Sequence, residues 1–179
     1  MIKLNLGCWT RNFGSDWTHI DGCHLPHIVS HDIVNLPYEN NSVDTIYASH
    51  VFQYFNRQDG LELLKKWFSK IKDGGTLRIA VPDFKSMVTL YLNGGYSLDS
   101  FLGPLYGKMQ MDEEIIYHKS TYDFESLSKM LEEVGFKNIK LYDWKQTDHA
   151  NFDDHSQSYL PKMNKENGTL ISLNIEATK

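Results

Sequence analysis

The chain has 179 residues, 41% hydrophobic and 23% charged, enough apolar side chain to bury a core without staples and too ordinary for a disordered or collagen-like class. Its 18 basic and 23 acidic residues give a formal net charge of −5, and no basic run marks a nucleic-acid footprint. No apolar stretch approaches the roughly 18 residues of a membrane span. Met1-Ile2-Lys3-Leu4 runs straight into a strand-like segment, so no signal peptide is expected. Two cysteines, Cys8 and Cys23, lie outside any CxxC, which fits a reduced, cytoplasmic setting.

Short strands open the chain. Ile2 to Leu6 alternates and stops at Gly7, Trp17 to Ile20 precedes Asp21-Gly22, and Ile28-Val29 leads to Asp32. Val43 to Ala48 follows a polar turn. Asn56, with Asp59 three residues on, caps a helix whose Leu61, Leu64, Phe68 and Ile71 form one stripe, ending at Asp73-Gly74-Gly75. Thr76 to Val81 is apolar on both faces except Arg78, so helices are expected on each side. A short helix over 84–92 leads into an irregular stretch to 120. A second clear helix spans 123–134, and strands follow at Phe136 to Trp144 and Leu170 to Ala177. This alternation predicts an α/β three-layer sandwich, with a long loop joining the last two strands as an antiparallel pair. One domain over 1–179 is expected, with lids at about 84–121 and 145–169 over the strand ends.

Candidate chemistry gathers at those ends. In Leu4-Asn5-Leu6-Gly7-Cys8-Trp9, Gly7 is either a close-approach point for a ligand or a turn glycine. Cys8 reads as a small buried residue rather than a nucleophile. Asp21 can accept both hydroxyls of a ribose or cap its own turn. Only 14 positions separate it from Gly7, which favours a cofactor without a pyrophosphate. Asp32 can accept from an adenine amine with Ile33 packed on the base, or stand solvated in its loop. Ala48-Ser49-His50 places Ser49 and His50 at the same edge, where His50 shapes a cofactor pocket or simply closes a turn.

These segments, with Leu36-Pro37, Val43-Asp44-Thr45-Ile46-Tyr47, Lys72-Asp73-Gly74-Gly75 and Leu77 to Pro82, resemble the class I S-adenosylmethionine-dependent methyltransferases. Tyr122-Asp123-Phe124, Gly135-Phe136, Asp154-His155-Ser156-Gln157-Ser158 and Ser172 to Ala177 resemble the small bacterial predicted methyltransferases found with polysaccharide and glycan genes. The resemblance implies a Rossmann-like, mostly parallel seven-stranded sheet with an antiparallel last strand. It implies S-adenosylmethionine as cofactor, with Gly7 at the methionine, Asp21 at the ribose and Asp32-Ile33 at the adenine. The cofactor-binding set expected from both lines of reasoning is Asn5, Gly7, Cys8, Trp9, Asp21, Asp32, Ile33, Ser49 and His50. The chain departs from the Gly-Cys-Gly pattern of such loops at Trp9, leaving Asn12 and Gly14 as its flexible positions.

The expected reaction is O-methylation of a glycan or small sugar-like acceptor. N-methylation of a small metabolite, or a non-catalytic protein keeping the fold, are the alternatives. A sugar hydroxyl is a poor nucleophile and gains from a general base. His118, before the second helix, and the His149–Asp154 pair are the candidate catalytic residues, beside Asp153 and His155. His118, His149, Asp153 and Asp154 offer mixed ligands for a divalent ion, but no recognised metal spacing occurs and no metal is expected. A small molecule or glycan is the expected partner, with monomer and homodimer both open.

Overall fold

The computed structural model describes residues 1–111 and 113–179; Asp112, inside the first expected lid, lies outside them. The sheet forms from β1 (Lys3–Leu6), β2 (Thr18–Ile20), β3 (Ile28–Ser30), β4 (Val43–Ser49), β5 (Ile71–Pro82), β8 (Lys137–Leu141) and β11 (Ser172–Thr178). Between these come the helices α1 (Arg57–Lys70), α2 (Phe84–Asn93), α3 (Leu102–Tyr106) and α4 (Phe124–Val134). Two small hairpins complete the fold, β6 (Met109–Met111) with β7 (Glu114–Ile116), and β9 (Tyr159–Leu160) with β10 (Thr169–Leu170).

The seven strands run in the order β3-β2-β1-β4-β5-β11-β8. All pairs are parallel except those made by β11, which lies antiparallel between β5 and β8. This is the expected seven-stranded, mostly parallel α/β sheet. Chain order reverses beside β1, between β2 on one side and β4 on the other, so the carboxyl ends of β1 and β4 flank a switch point where open sheets bind ligands.

Alternation along β4 sorts the two faces. Ile46 and Ala48 join the main core with Leu64, Trp67 and Leu131 of α1 and α4. Tyr47 points the other way, into a second cluster with Phe13 and Trp17. That second face is covered by the segments around Phe13, Trp17 and Phe152, where helices are expected on each side of Thr76 to Val81. The stretch from Gly7 to Trp17 is too short for a helical crossover, and aromatic rings fill the layer instead. Arg78, the one charge between Thr76 and Val81, is explained on this face. It pairs across the sheet with Glu176 at 2.7 Å and reaches Asp148 at 3.3 Å.

The Asn56 cap behaves as read, and a second cap appears at Asp123. Asn56 accepts from the Asp59 amide at 2.9 Å, and Asp123 forms a reciprocal box with Ser126. One boundary moves: α1 ends at Lys70, and Lys72 to Gly75 form an irregularity within β5, where pairing with β4 jumps from Val43–Ile71 to Thr45–Thr76. The turn residues made this stretch resemble a helix stop. A side chain at Gly75 would meet Ile71 Cγ2 at 2.7 Å, so the strand can begin early only because this position is bare.

Candidate functional site

Three adjoining cavities open at the carboxyl ends of β1, β2 and β4. The first, about 380 Å³, is lined by Asn5, Gly7, Cys8, Trp9, Ser49 and Asp154, with Arg11 and His155 also in its wall. The second, about 300 Å³, is lined by Asp21, Asp32, Ile33, Val51, Met111 and Ile116 among others. The third, about 480 Å³, includes Gln53, Lys108, His118, Tyr159 and Lys162. His50 and Tyr54 line all three, so the chambers meet at these two side chains. Each volume lies in the range of roughly 300–1,000 Å³ common for small-molecule sites.

Gly7 makes the first turn possible. Its φ is +64°, and a Cβ there would stand 2.5 Å from Val51 Cγ2. The β1 and β4 loops therefore touch through a position that admits no side chain. Gly7→Ala is expected to destabilise the fold by about 2–4 kcal/mol, from overpacking plus the left-handed backbone. A double-mutant cycle with Val51→Ala, read by urea denaturation, should return a coupling of about 1 kcal/mol or more. Simple additivity would mean that the loop moves aside freely.

Trp9 also has positive φ, +45°, which explains why glycine suits this place in the loops it resembles. The backbone around it is fixed. Its amide donates to Asp21 Oδ2 at 2.7 Å, its carbonyl accepts from His27 Nε2 at 2.8 Å, and Arg11 stacks on its ring. The ring is 47% exposed and stands in the wall of the first cavity. Cys8 is buried, and burial together with the Asp21 carboxylate pushes its thiol up to about 12, which suits packing and not nucleophilic attack.

Asp21 is buried at the end of β2. Oδ2 serves the Trp9 amide and Oδ1 the Cys23 amide at 2.9 Å. Each carboxylate oxygen has a further lone pair for a ligand hydroxyl. Asp32 lines the same cavity but is exposed, and it turns its carboxylate into its own loop, accepting from the Val34 and Asn35 amides and from Asn35 Nδ2. The Asn35 side chain, more than any other group, holds that carboxyl below its usual range.

His50 closes the end of β4 with φ +52°. Ser172 Oγ donates to Asn174 Oδ1 at 2.9 Å, so it accepts at 3.0 Å from His50 Nε2–H, leaving Nδ1 as the basic nitrogen. Burial first, then the neighbouring imidazoles of His155 and His118, holds His50 well below the usual histidine range. The chain of bonds continues. Asn174 Nδ2 donates to the Ser156 carbonyl, the Ser156 amide to Asp154 Oδ1, and Tyr47 Oη to Asp154 Oδ2 at 2.5 Å. Asp154 therefore lines the first cavity while anchoring the loop that carries His155.

His118 lies in the third cavity. Its Nδ1 donates to the Pro104 carbonyl at 2.9 Å, which leaves Nε2 as acceptor, 3.3 Å from Gln53 Nε2. A Cβ at Gly107 would collide with that imidazole, so the bare backbone there makes room for the ring. Burial lowers its pKa, with His155 adding to the effect.

His149 is elsewhere. It lies 1% exposed in the aromatic cluster of the second face, stacked on Phe13 at 5.2 Å and lining none of the three cavities. Neither ring nitrogen has a hydrogen-bond partner, and burial depresses its pKa to about 4. The structure thus brings Asp154 and His155 to the cavities and leaves His149 behind. Among the described residues no group of three or more His, Cys, Asp or Glu side chains stands close enough to hold a metal ion.

Among the lining residues that escaped the sequence reading are Arg11, Gln53, Tyr54, Lys108 and Lys162. Gln53 and Tyr54 sit in a short helical turn, Phe52–Tyr54, just past the β4 end, and that adjacency was the available signal. Lys108 precedes the β6–β7 hairpin, in a stretch whose turn glycines hid its regularity.

Switch-point cavities, a bare turn after β1, a buried acid after β2 and the antiparallel β11 together define the class I S-adenosylmethionine-dependent methyltransferase fold. Comparison with known proteins agrees. A model described as "Methyltransferase domain" matches residues 11–79. A demethylmenaquinone methyltransferase of Staphylococcus haemolyticus is 32% identical over 135 residues, covering 69% of this chain and 52% of that protein. One from Staphylococcus aureus is 32% identical over 126 residues, covering 64% and 48%. The chain spans about half the length of these curated relatives. Among solved structures, a SAM-dependent methyltransferase from Archaeoglobus fulgidus superposes with a TM-score of 0.57 at 18% identity, over 99% of this chain and 85% of that one. A Burkholderia thailandensis 1,6-didemethyltoxoflavin-N1-methyltransferase does so at 0.56 and 11%, over 99% and 70%.

The residues present fit S-adenosylmethionine. Ser49 Oγ is buried in the first cavity wall with no partner, and the buried Asp21 carboxylate borders the second. Among the described residues no helix is long and apolar enough to cross a membrane.

Proposed function

We propose that this chain transfers a methyl group from S-adenosylmethionine to a hydroxyl of a glycan or a small sugar-like acceptor. The observation that carries the choice of hydroxyl over amine is the lining of the third cavity. It adjoins the other two at His50 and Tyr54, and no Asp or Glu among the described residues lines it. A protonated amine would be left without a counter-charge there.

In this reading the first cavity, with Asn5, Gly7, Cys8, Trp9, Ser49 and His50, takes the methionine end, Asp21 takes the ribose, and Asp32-Ile33 border the adenine. The cofactor's sulfonium supplies an electrophilic methyl group, so the protein need only align the acceptor and exclude water. Segments 84–121 and 145–169 act as lids, since both send side chains to the third cavity. His118 Nε2 serves as the base that takes the acceptor's proton once the acceptor hydroxyl displaces the weak 3.3 Å bond from Gln53 Nε2, and Asp154 positions His155 through the loop it anchors. Trp9 stands in a wall and plugs nothing, which favours an enzyme over an inactive relative.

The experiment is methyl transfer from labelled S-adenosylmethionine to a panel of sugar hydroxyls and small amines, with parent and His118→Ala. Hydroxyl methylation should fall roughly 100-fold or more in the variant, while stabilisation by S-adenosylhomocysteine stays unchanged. Methylation confined to amines would overturn the hydroxyl assignment, and an undiminished rate would remove His118.

A further inference from the structure

We propose, resting on the hydroxyl-transfer reading above, that the third cavity is built for an anionic sugar, with Lys108 and Lys162 holding its carboxylate or phosphate and Gln53 taking one of its hydroxyls. The lining carries two lysines against no carboxylate among the described residues, and its three imidazoles, held neutral by burial, add no charge. Overall the chain is acidic, so this local excess of cationic groups runs against its own composition. Neither Lys108 nor Lys162 forms an ion pair with a described residue, whereas Lys165, near Lys162 in sequence, is bonded to Asp153 and Gln157. An ammonium group on a cavity wall with no internal counter-charge favours an anion brought by a ligand.

Gln53 gives the second, independent observation. It is 1% exposed, its Nε2 faces His118 Nε2, and its Oε1 has no partner. The Nδ1–H of His118 is committed to Pro104, so the pair has a fixed sense: the amide nitrogen must face the imidazole and the amide oxygen must look elsewhere. A buried acceptor atom without a donor is costly, and a ligand hydroxyl relieves it. A neutral sugar would satisfy Gln53 and leave the lysines idle. A simple anion would do the reverse. A sugar bearing a carboxylate or phosphate answers both.

The test uses the full chain loaded with S-adenosylhomocysteine and titrated calorimetrically with glucuronate, glucose 6-phosphate and methyl glucoside. One or both anionic ligands should bind roughly 10- to 100-fold tighter than methyl glucoside, and which one does identifies the source of the charge. Lys162 lines the third cavity alone, so Lys162→Gln should weaken that preference with its S-adenosylhomocysteine-induced Tm shift intact, and the Lys108→Gln/Lys162→Gln protein, altered also where Lys108 borders the first cavity, should lose the preference altogether. Gln53→Leu should weaken all the sugars that bind, anionic and neutral alike, and equal binding in that variant removes Gln53 from the proposal. Equal affinities, no binding of any of the three, or a preference that survives in the double lysine variant overturns the anionic assignment and leaves the methyltransferase reading standing. A parent protein with no S-adenosylhomocysteine shift fails that reading, and this proposal falls with it.

Discussion

Asp21→Ala is expected to remove nearly all of the thermal stabilisation that S-adenosylhomocysteine gives the parent. The carboxylate is 3% exposed and borders the second cavity. Hydrogen bonds to a charged group contribute about 1.5–3 kcal/mol each, so losing two ribose contacts weakens binding roughly 100-fold or more. Ligand at about 100 times Kd stabilises by about 2.7 kcal/mol, and at Kd itself by about 0.4 kcal/mol. The Tm shift of the parent should therefore nearly vanish in the variant. The substitution also frees the Trp9 and Cys23 amides, so the unliganded Tm should drop as well. Asp21→Asn separates the two effects, since its one remaining oxygen still accepts. An undiminished ligand shift in Asp21→Ala would show that the ribose is not held here.

The second large effect concerns His149. Its ring is stacked among Phe13, Tyr47 and Trp17 with both nitrogens unpartnered. Its folded pKa, about 4, lies below the unfolded value of about 6.5. Between those values the unfolded chain binds a proton that the native chain refuses, so stability rises with pH across that window and is lost as pH falls from 6.5 toward 4. Above 6.5 both states are neutral and the slope disappears. Each unit is worth about 1.4 kcal/mol, so this one ring costs on the order of 2–3 kcal/mol by pH 4. His149→Phe should flatten the acid limb of a Tm–pH profile. It should also raise Tm by about 2–4 °C at pH 7.5, since an unsatisfied polar ring gives way to an apolar one of similar shape. His19, His50, His118 and His155 are depressed too, each by burial first, so part of the slope remains. A His149→Phe protein with an unchanged acid limb would mean that this ring is not the buried, proton-refusing group described.

The fold was legible in the sequence because its signals are local: Asn56 with Asp59 as a cap, alternation from Ile2 to Leu6, and the apolar run from Thr76 to Val81. The residues placed on the first two cavities were legible for the same reason, since Gly7, Asp21 and His50 directly follow strands and Asp32 lies two residues past β3. The third cavity was legible only at His118. Gln53, Lys108 and Lys162 come from three other segments, and only long-range packing brings them to the same cavity. His149 and His155 show the limit most clearly. They lie six residues apart in one polar stretch, yet one turns into an aromatic core and the other to the cavities. Nothing in their spacing distinguishes them; the deciding partner is Tyr47, 107 residues upstream of the Asp154 it anchors.

His50 and Tyr54 belong to all three chambers, so the contents of neighbouring chambers share a wall through which each can feel the other. Occupancy is then thermodynamically linked: whatever factor the donor product imposes on acceptor affinity, the acceptor must impose on the donor product in return. Two titrations run in opposite order would measure that common factor, and a value far from one would make the order of loading and release a property of this partition.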